Sequence, residues 1–370
     1  MAGKVLNYFA GGNTGRGFYN LFDSNLKGLD RLFILKGGPG TGKSSLMKKL
    51  ASEWRNKGYN IEIIHCSSDN DSIDGVIIPK LKFGIVDGTA PHIVEPNAPG
   101  AIEEYVNLGV AWDSERLQQN KNRIIALQNE VSRAFQLAYD TFAKGLEEHD
   151  DLEEIYFKEM DFNKANELTD ELIQQIFGEQ HLSKQAIVYH RFLGAATPKG
   201  AVDFIPNITE GLNRRYFLKG RAGTGKSTLL KKVAAVAEER GFDTEIYHCG
   251  FDPNSIDMVV IRELSFAIFD STDPHEYFPD RKGDKIIDLY MAAVTPGTDE
   301  KYNIEIKEVH KRYKDQMKEG TKCLAKAKAL HDELEKLYVE AMDFSILDKF
   351  YQMINQEIIR LENNLYSMNE

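Results

Sequence analysis

Gly37-Gly38-Pro39-Gly40-Thr41-Gly42-Lys43-Ser44 follows the apolar run Arg31-Leu32-Phe33-Ile34-Leu35-Lys36. It precedes a segment, Ser44 to Lys57, in which Leu46, Leu50 and Trp54 recur at helical spacing before Gly58. The run reads as a buried strand and the segment as a helix, so the glycines make the turn between them. Glycines let a backbone curl until successive N–H groups point inward as a nest for an anion. The helix that follows adds unsatisfied N-terminal donors and the positive end of its dipole. A glycine-rich turn without a ligand is the plain alternative, and the strand and helix on either side argue against it.

Working outward, the same arrangement recurs. Gly220-Arg221-Ala222-Gly223-Thr224-Gly225-Lys226-Ser227 follows a second apolar run, and a shift of 183 positions lays Gly28–Gly100 on Gly211–Gly283 with 35 identities in 73 positions. Upstream, Phe9, Gly11, Thr14 and Gly17 meet Phe192, Gly194, Thr197 and Gly200. Downstream, after a one-residue slip, His149-Asp150-x-Leu152-Glu153-x-x-Tyr156 meets His331-Asp332-x-Leu334-Glu335-x-x-Tyr338, and Met160-Asp161-Phe162 meets Met342-Asp343-Phe344. The repeat spans nearly the whole chain and predicts two tandem units, 1–183 and 184–370.

Each unit divides again. Arg31–Lys36, Ile61–His65 and Leu81–Val86 read as strands. Separated by helix and loop, they predict a parallel sheet with helices on its faces, over about 1–110 and again over about 184–293. The remainder, about 111–183 and 294–370, is helical. Leu117, Ile124, Val131, Phe135, Ala138 and Phe142 keep to one face of a long amphipathic helix, and 302–340 repeats the pattern with more charge. A hairpin covering its own unit is the expectation; an arm protruding toward a protein partner is the alternative.

Both loops fit G-x-x-x-x-G-K-[ST], and here the chain resembles the P-loop NTPases; its duplicated layout resembles a tandem two-P-loop ATPase family of bacteria. The resemblance implies an α/β fold of two P-loop lobes that bind ATP or another NTP with Mg²⁺. It assigns nucleotide contacts to Gly37, Gly38, Gly40, Thr41, Gly42, Lys43, Ser44 and Ser45, and to Gly220, Gly223, Thr224, Gly225, Lys226, Ser227 and Thr228. Lys43 and Lys226 would reach the β- and γ-phosphates, while the Ser44 and Ser227 hydroxyls would face the metal. Asp87 and Asp270, each ending an apolar run 44 residues after its lysine, match the Walker B carboxylate that orients Mg²⁺. A turn or cap residue is the alternative there. The pattern departs at the next position, where many such ATPases carry a glutamate that polarises water and this chain has Gly88 and Ser271. Glu62, Glu245, Asp69, Asp252, His92 and His275 are the substitutes that the sequence offers.

Weaker signals surround these. Asp69-x-x-Ser72-Ile73-Asp74, repeated as Asp252-x-x-Ser255-Ile256-Asp257, reads equally as a polar rim for a phosphate acceptor or as local turn chemistry. His65-Cys66 with His92, and His248-Cys249 with His275, fall short of the four ligands of a zinc site and read as packing residues. Arg16 and Lys199 read as surface cations, with an arginine finger acting across the units as the alternative. Three cysteines and no Cys-x-x-Cys pair give no disulfide or zinc framework. Acidic residues exceed basic ones by 57 to 46, for a net charge of -11. That balance disfavours nucleic acid and anionic membrane as partners. With 42% hydrophobic and 28% charged residues, no signal peptide and no spanning segment, the expectation is a cytoplasmic globular protein. A two-site, Mg²⁺-dependent ATPase leads; a kinase for a small molecule and a nucleotide-gated binding module are the alternatives.

Overall fold

The computed structural model describes residues 1–367. In the first half the strands are β1 Val5–Phe9, β2 Gly11–Thr14, β3 Gly17–Asn20, β4 Arg31–Lys36, β5 Ile61–His65, β6 Ile73–Ile78, β7 Phe83–Asp87 and β8 Glu103–Asn107. Its principal helices are α1 Lys43–Asn56, α2 Lys121–Phe157 and α3 Phe162–Phe177. The second half continues with strands β9 Val188–Phe192, β10 Gly194–Thr197, β11 Gly200–Asp203 and β12 Arg214–Lys219, then helix α4 Lys226–Glu239. Strands β13 Thr244–His248, β14 Ile256–Ile261, β15 Phe266–Asp270 and β16 Asp284–Asp288 follow, and helices α5 Asn303–Val339 and α6 Phe344–Ser367 end it.

Twelve strands make one sheet in the order β16-β12-β15-β14-β13-β9-β1-β5-β6-β7-β4-β8. Outward from its centre, the strands of each half follow the same order. The halves join where β1 meets β9, antiparallel and paired only at Phe9 and Phe192. So short a ladder leaves strand edges to satisfy, and side chains do it: the Asn207 amide accepts from Asn7 N–H (2.7 Å) and donates to the Val5 carbonyl (2.9 Å), while Asn25 donates to the His190 carbonyl (2.8 Å).

The sheet is mixed, which corrects the expected parallel sheet. β4 pairs parallel with β7 and β8, and β1 parallel with β5, but β6 runs antiparallel to both β5 and β7. The connection from β5 to β6, residues 66–72, is too short for the crossover that parallel neighbours need, so the chain must turn straight back. β14 repeats this between β13 and β15. β7 begins at Phe83 rather than Leu81, because Pro79–Leu81 forms a 3₁₀ turn and Lys82 is left-handed (φ 46°).

The helical parts also depart from expectation: neither hairpin covers its own half. α2 and α5 pack antiparallel on each other, Leu127 against Leu334 and Leu337, and Ala138 and Phe142 against Cys323 and Leu324. A 37-residue helix is about 55 Å long, and each therefore carries the chain across to the opposite half. There α3 places Leu172, Ile176 and Phe177 in the second half's core with Leu229, Leu230 and Val233. In exchange, α6 places Tyr351, Ile354 and Ile358 in the first half's core with Leu46, Leu50 and Trp54. On the other face of the sheet one core runs through the seam, joining Tyr8, Leu32 and Ile34 to Phe217, Tyr247 and Phe269. No helix among the described residues is long and apolar enough to cross a membrane.

Candidate functional site

The glycine-rich loops lie where β4 runs into α1 and β12 into α4. Gly40 (φ 67°) and Gly42 (φ 80°) adopt left-handed backbone, matched by Gly223 (φ 70°) and Gly225 (φ 82°), conformations that side-chain-bearing residues resist. In the mouth of the first loop the Lys43 ammonium donates to the carbonyls of Gly37 and Gly38 (both 2.8 Å) and stands 3.5 Å from Asp87 Oδ2. In the second, Lys226 donates to the Arg221 carbonyl (2.7 Å) and stands 3.6 Å from Asp270 Oδ2. Thr41 and Thr224 brace the loops from within by donating to the carbonyls of Gly38 (2.9 Å) and Arg221 (2.8 Å). β7 and β15 end at the aspartates, which accept the hydroxyls of Thr89 (2.6 Å) and Thr272 (2.7 Å). The Ser44 hydroxyl, one position into α1, accepts from Ile73 N–H (3.1 Å), and Ser227 accepts from Ile256 N–H (3.0 Å).

That last contact pins the start of β6 to the loop. The β6–β7 ladder pairs Gly75 with Val86, so one step further Asp74 stands opposite Asp87; Met258 with Phe269 likewise sets Asp257 opposite Asp270. Burial raises the Asp74 carboxyl, and the neighbouring Asp87 charge adds to this. Asp257 is pushed up to about 6, by burial first and then by Asp270. Cys66 lies beside Asp74, and burial together with that carboxylate raises its thiol, so it is not a ready thiolate.

His92 is 94% removed from solvent, stacked on Phe22 (5.3 Å), and has Nε2 3.8 Å from Asp74 Oδ1; neither ring nitrogen has a hydrogen-bond partner. The two halves differ here. His275 pairs through Nδ1 with Asp203 (2.9 Å); burial alone would lower its pKa, but this bond and charge hold it above the ordinary value. Asn20 occupies the position matching Asp203 and accepts instead from Phe22 N–H (2.8 Å).

Four of the carboxylates suggested by the sequence are engaged elsewhere. Glu62 and Glu245 lie at the seam around the buried Arg191 guanidinium (2.9 and 3.5 Å), and Arg262 clasps Glu245 from its other side (2.5 Å). Burial alone would raise Glu245, but the two arginines hold it below the ordinary carboxylate range. Asp69 accepts from the Ser72 hydroxyl (2.9 Å) and faces Lys328 (3.5 Å). Asp252 pairs with Arg16 of the other half (2.8 Å), and Lys199 reaches Asp71 in the same crossed manner (3.3 Å). His65 binds Asn7 (2.9 Å) and His248 binds His190 (2.8 Å), so neither joins a cysteine-centred ligand set with His92 or His275.

Each loop is roofed by the helix of the opposite half, which linear reasoning did not find. A Cβ at Gly38 would meet the rings of Tyr338 (3.2 Å) and Trp112 (3.4 Å), and one at Gly40 would meet Val339 (2.7 Å) and the Glu335 carbonyl (2.9 Å). At the second loop a Cβ on Gly223 would meet Glu153 of α2. Arg221, in place of Gly38, pairs with Asp299 (2.8 Å), which also takes the Tyr156 hydroxyl (2.9 Å). The repeated His-Asp-x-x-Glu segments thus end at the loops. His149, Asp150 and Glu153, and separately His331, Asp332 and Glu335, present ligand atoms within 4.8 Å of one another that could hold a cation. Their recurrence in the sequence was the available signal; their position was not.

A model of the KAP family P-loop domain matches residues 21–214, more than half of the chain. No curated protein and no solved structure matches.

Proposed function

This chain belongs to the KAP family of P-loop domains, and from that premise we propose that it binds Mg·ATP at two sites, one per repeat (1–183 and 184–370), and hydrolyses it. The carrying observation is the doubled set of lysine, hydroxyl and aspartate. Lys43 with Ser44 and Asp87, and Lys226 with Ser227 and Asp270, recur with lysine–aspartate distances of 3.5 and 3.6 Å on matching elements. A serine hydroxyl and a carboxylate are hard oxygen donors that suit Mg²⁺, with Ser44 and Asp87, or Ser227 and Asp270, as the residues that would hold it. Bound there, the ion would neutralise charge on the β- and γ-phosphates.

The chain's own groups do the remaining work. The loop N–H groups cradle the phosphates, Lys43 or Lys226 leaves its carbonyl partners for phosphate oxygens, and the opposite half's helix shields the loop. The test is phosphate release from ATP by purified protein without an acceptor. Loss of release in the Lys43→Ala, Lys226→Ala double variant is the expected result. No heat with Mg·ATP in calorimetry would refute the reading, and turnover only with an added small-molecule acceptor would replace it with a kinase.

A further inference from the structure

A P-loop site needs a group that receives the proton of the attacking water, and the position after the Walker B aspartate supplies none: it is Gly88 in one copy and Ser271 in the other. The carboxylates of Glu62, Glu245, Asp69 and Asp252 are committed to the ion pairs and hydrogen bonds described above. Within the stretches 69–74 and 252–257, where Asp71 is paired with Lys199, one acidic position of each half remains. Asp74 and Asp257 stand across the ladder from Asp87 and Asp270, next to the residues whose N–H groups hold the loop serines. Cross-strand neighbours project from the same face of a sheet, so each pair of carboxylates turns to one side at the end of β7 or β15, beside the loop lysine.

This is a poor arrangement for the fold alone. Asp74 is 95% buried, and no lysine or arginine lies within ion-pair distance of it among the described residues. Burying two adjacent carboxylates is unfavourable unless a cation or proton joins them. An asparagine would fill the same space without that penalty, yet both copies hold aspartate. A second observation points the same way: His92, nine-tenths buried, stands 3.8 Å from Asp74, and neither of its ring nitrogens has a hydrogen-bond partner.

We propose that Asp74 and Asp257 are the carboxylates that orient the attacking water and accept its proton, with Asp87 and Asp270 left to place the metal. The inference rests on the ATPase reading above. In the step, the water oxygen forms a bond to the γ-phosphorus as the bond from that phosphorus to the β,γ-bridging oxygen breaks. The electron pair of the broken bond leaves with ADP, and one water proton passes to the aspartate, which later releases it to solvent. ADP and inorganic phosphate are the products. No oxidant or second substrate enters.

The test compares wild type with the Asp74→Asn, Asp257→Asn double variant for phosphate release, Mg·ATP affinity and thermal melting. The expected result is a fall in kcat of about 10²–10⁴-fold, affinity within about threefold of wild type, and a melting temperature unchanged or raised. Rapid quenching should then find intact ATP on the variant. Activity within about fivefold of wild type overturns the proposal. So does a joint loss of affinity and melting temperature, the mark of a structural role. Asp257→Asn alone serves as the second variant, because Asp257 is less buried than Asp74, and it should remove the turnover of the second site. Wild type that never releases phosphate refutes the ATPase reading itself and this inference with it; release by wild type and variant alike sinks this inference only.

Discussion

The exchange of terminal helices makes a sharp prediction about stability. In α6, Ile354 and Ile358 are fully buried against α1 of the other half, and the Trp54 indole N–H donates to Asn355 Oδ1 (2.8 Å). Ile354→Ala removes three carbons. Transfer alone is worth about 0.8 kcal/mol for each, and a residual cavity raises the expected loss to about 3–4 kcal/mol. Asn355→Ala leaves the buried indole donor without a partner, at about 1–3 kcal/mol. The two tryptophans, Trp54 and Trp112, both lie in the first half. Urea unfolding followed by fluorescence in a Trp112→Phe background therefore reports the first half's core through Trp54. Both substitutions, some 300 residues from Trp54 in sequence, should move that transition to lower urea, while Ile359→Ala at an exposed position of the same helix (37% exposed) should shift it by less than about 1 kcal/mol. A Trp54 transition that ignores Ile354→Ala, or one that responds equally to Ile359→Ala, would refute the exchange.

Two further outcomes follow from the site and the sheet edge. Gly40→Ala combines a left-handed backbone with a Cβ that would press on Glu335 and Val339 of the roofing helix; we expect Mg·ATP affinity at the first loop to fall more than tenfold, read by calorimetry in a Lys226→Ala chain. Asp284 is buried against Arg215, whose hydrogen bonds overcome the effect of burial and hold the carboxyl at about 2. A folded pKa below the unfolded one contributes stability above pH ~4 that is lost as pH falls toward 2, about 2 kcal/mol here. Acid melting of Asp284→Asn should lack that loss while starting less stable, because Arg215 is left without its buried partner.

Contiguous residues carried what is local. The turn, its strand and its helix were legible because backbone freedom at Gly40 and Gly42 and the spacing of Leu46, Leu50 and Trp54 are properties of neighbours in the chain. The repeated pattern was legible because 35 identities at a constant offset need no third dimension. Choice of partner was not legible in this way. The apolar stripe of α6 announces burial, yet nothing along the stripe says that it packs on α1 rather than on its own half; a 37-residue helix decides that by its reach. Glu62 was one candidate base until the fold brought Arg191 to it, and Asp74 read equally as part of a polar rim or of a turn until β6, too close behind β5 to cross over, came back antiparallel and set it beside Asp87. Composition and spacing determined that two glycine-rich turns join a strand to a helix. Only the pairing of strands and the crossing of helices decided which carboxylates face them and that each turn is roofed by the opposite half, because those contacts join residues far apart in the chain whose distances are set by the packed sheet.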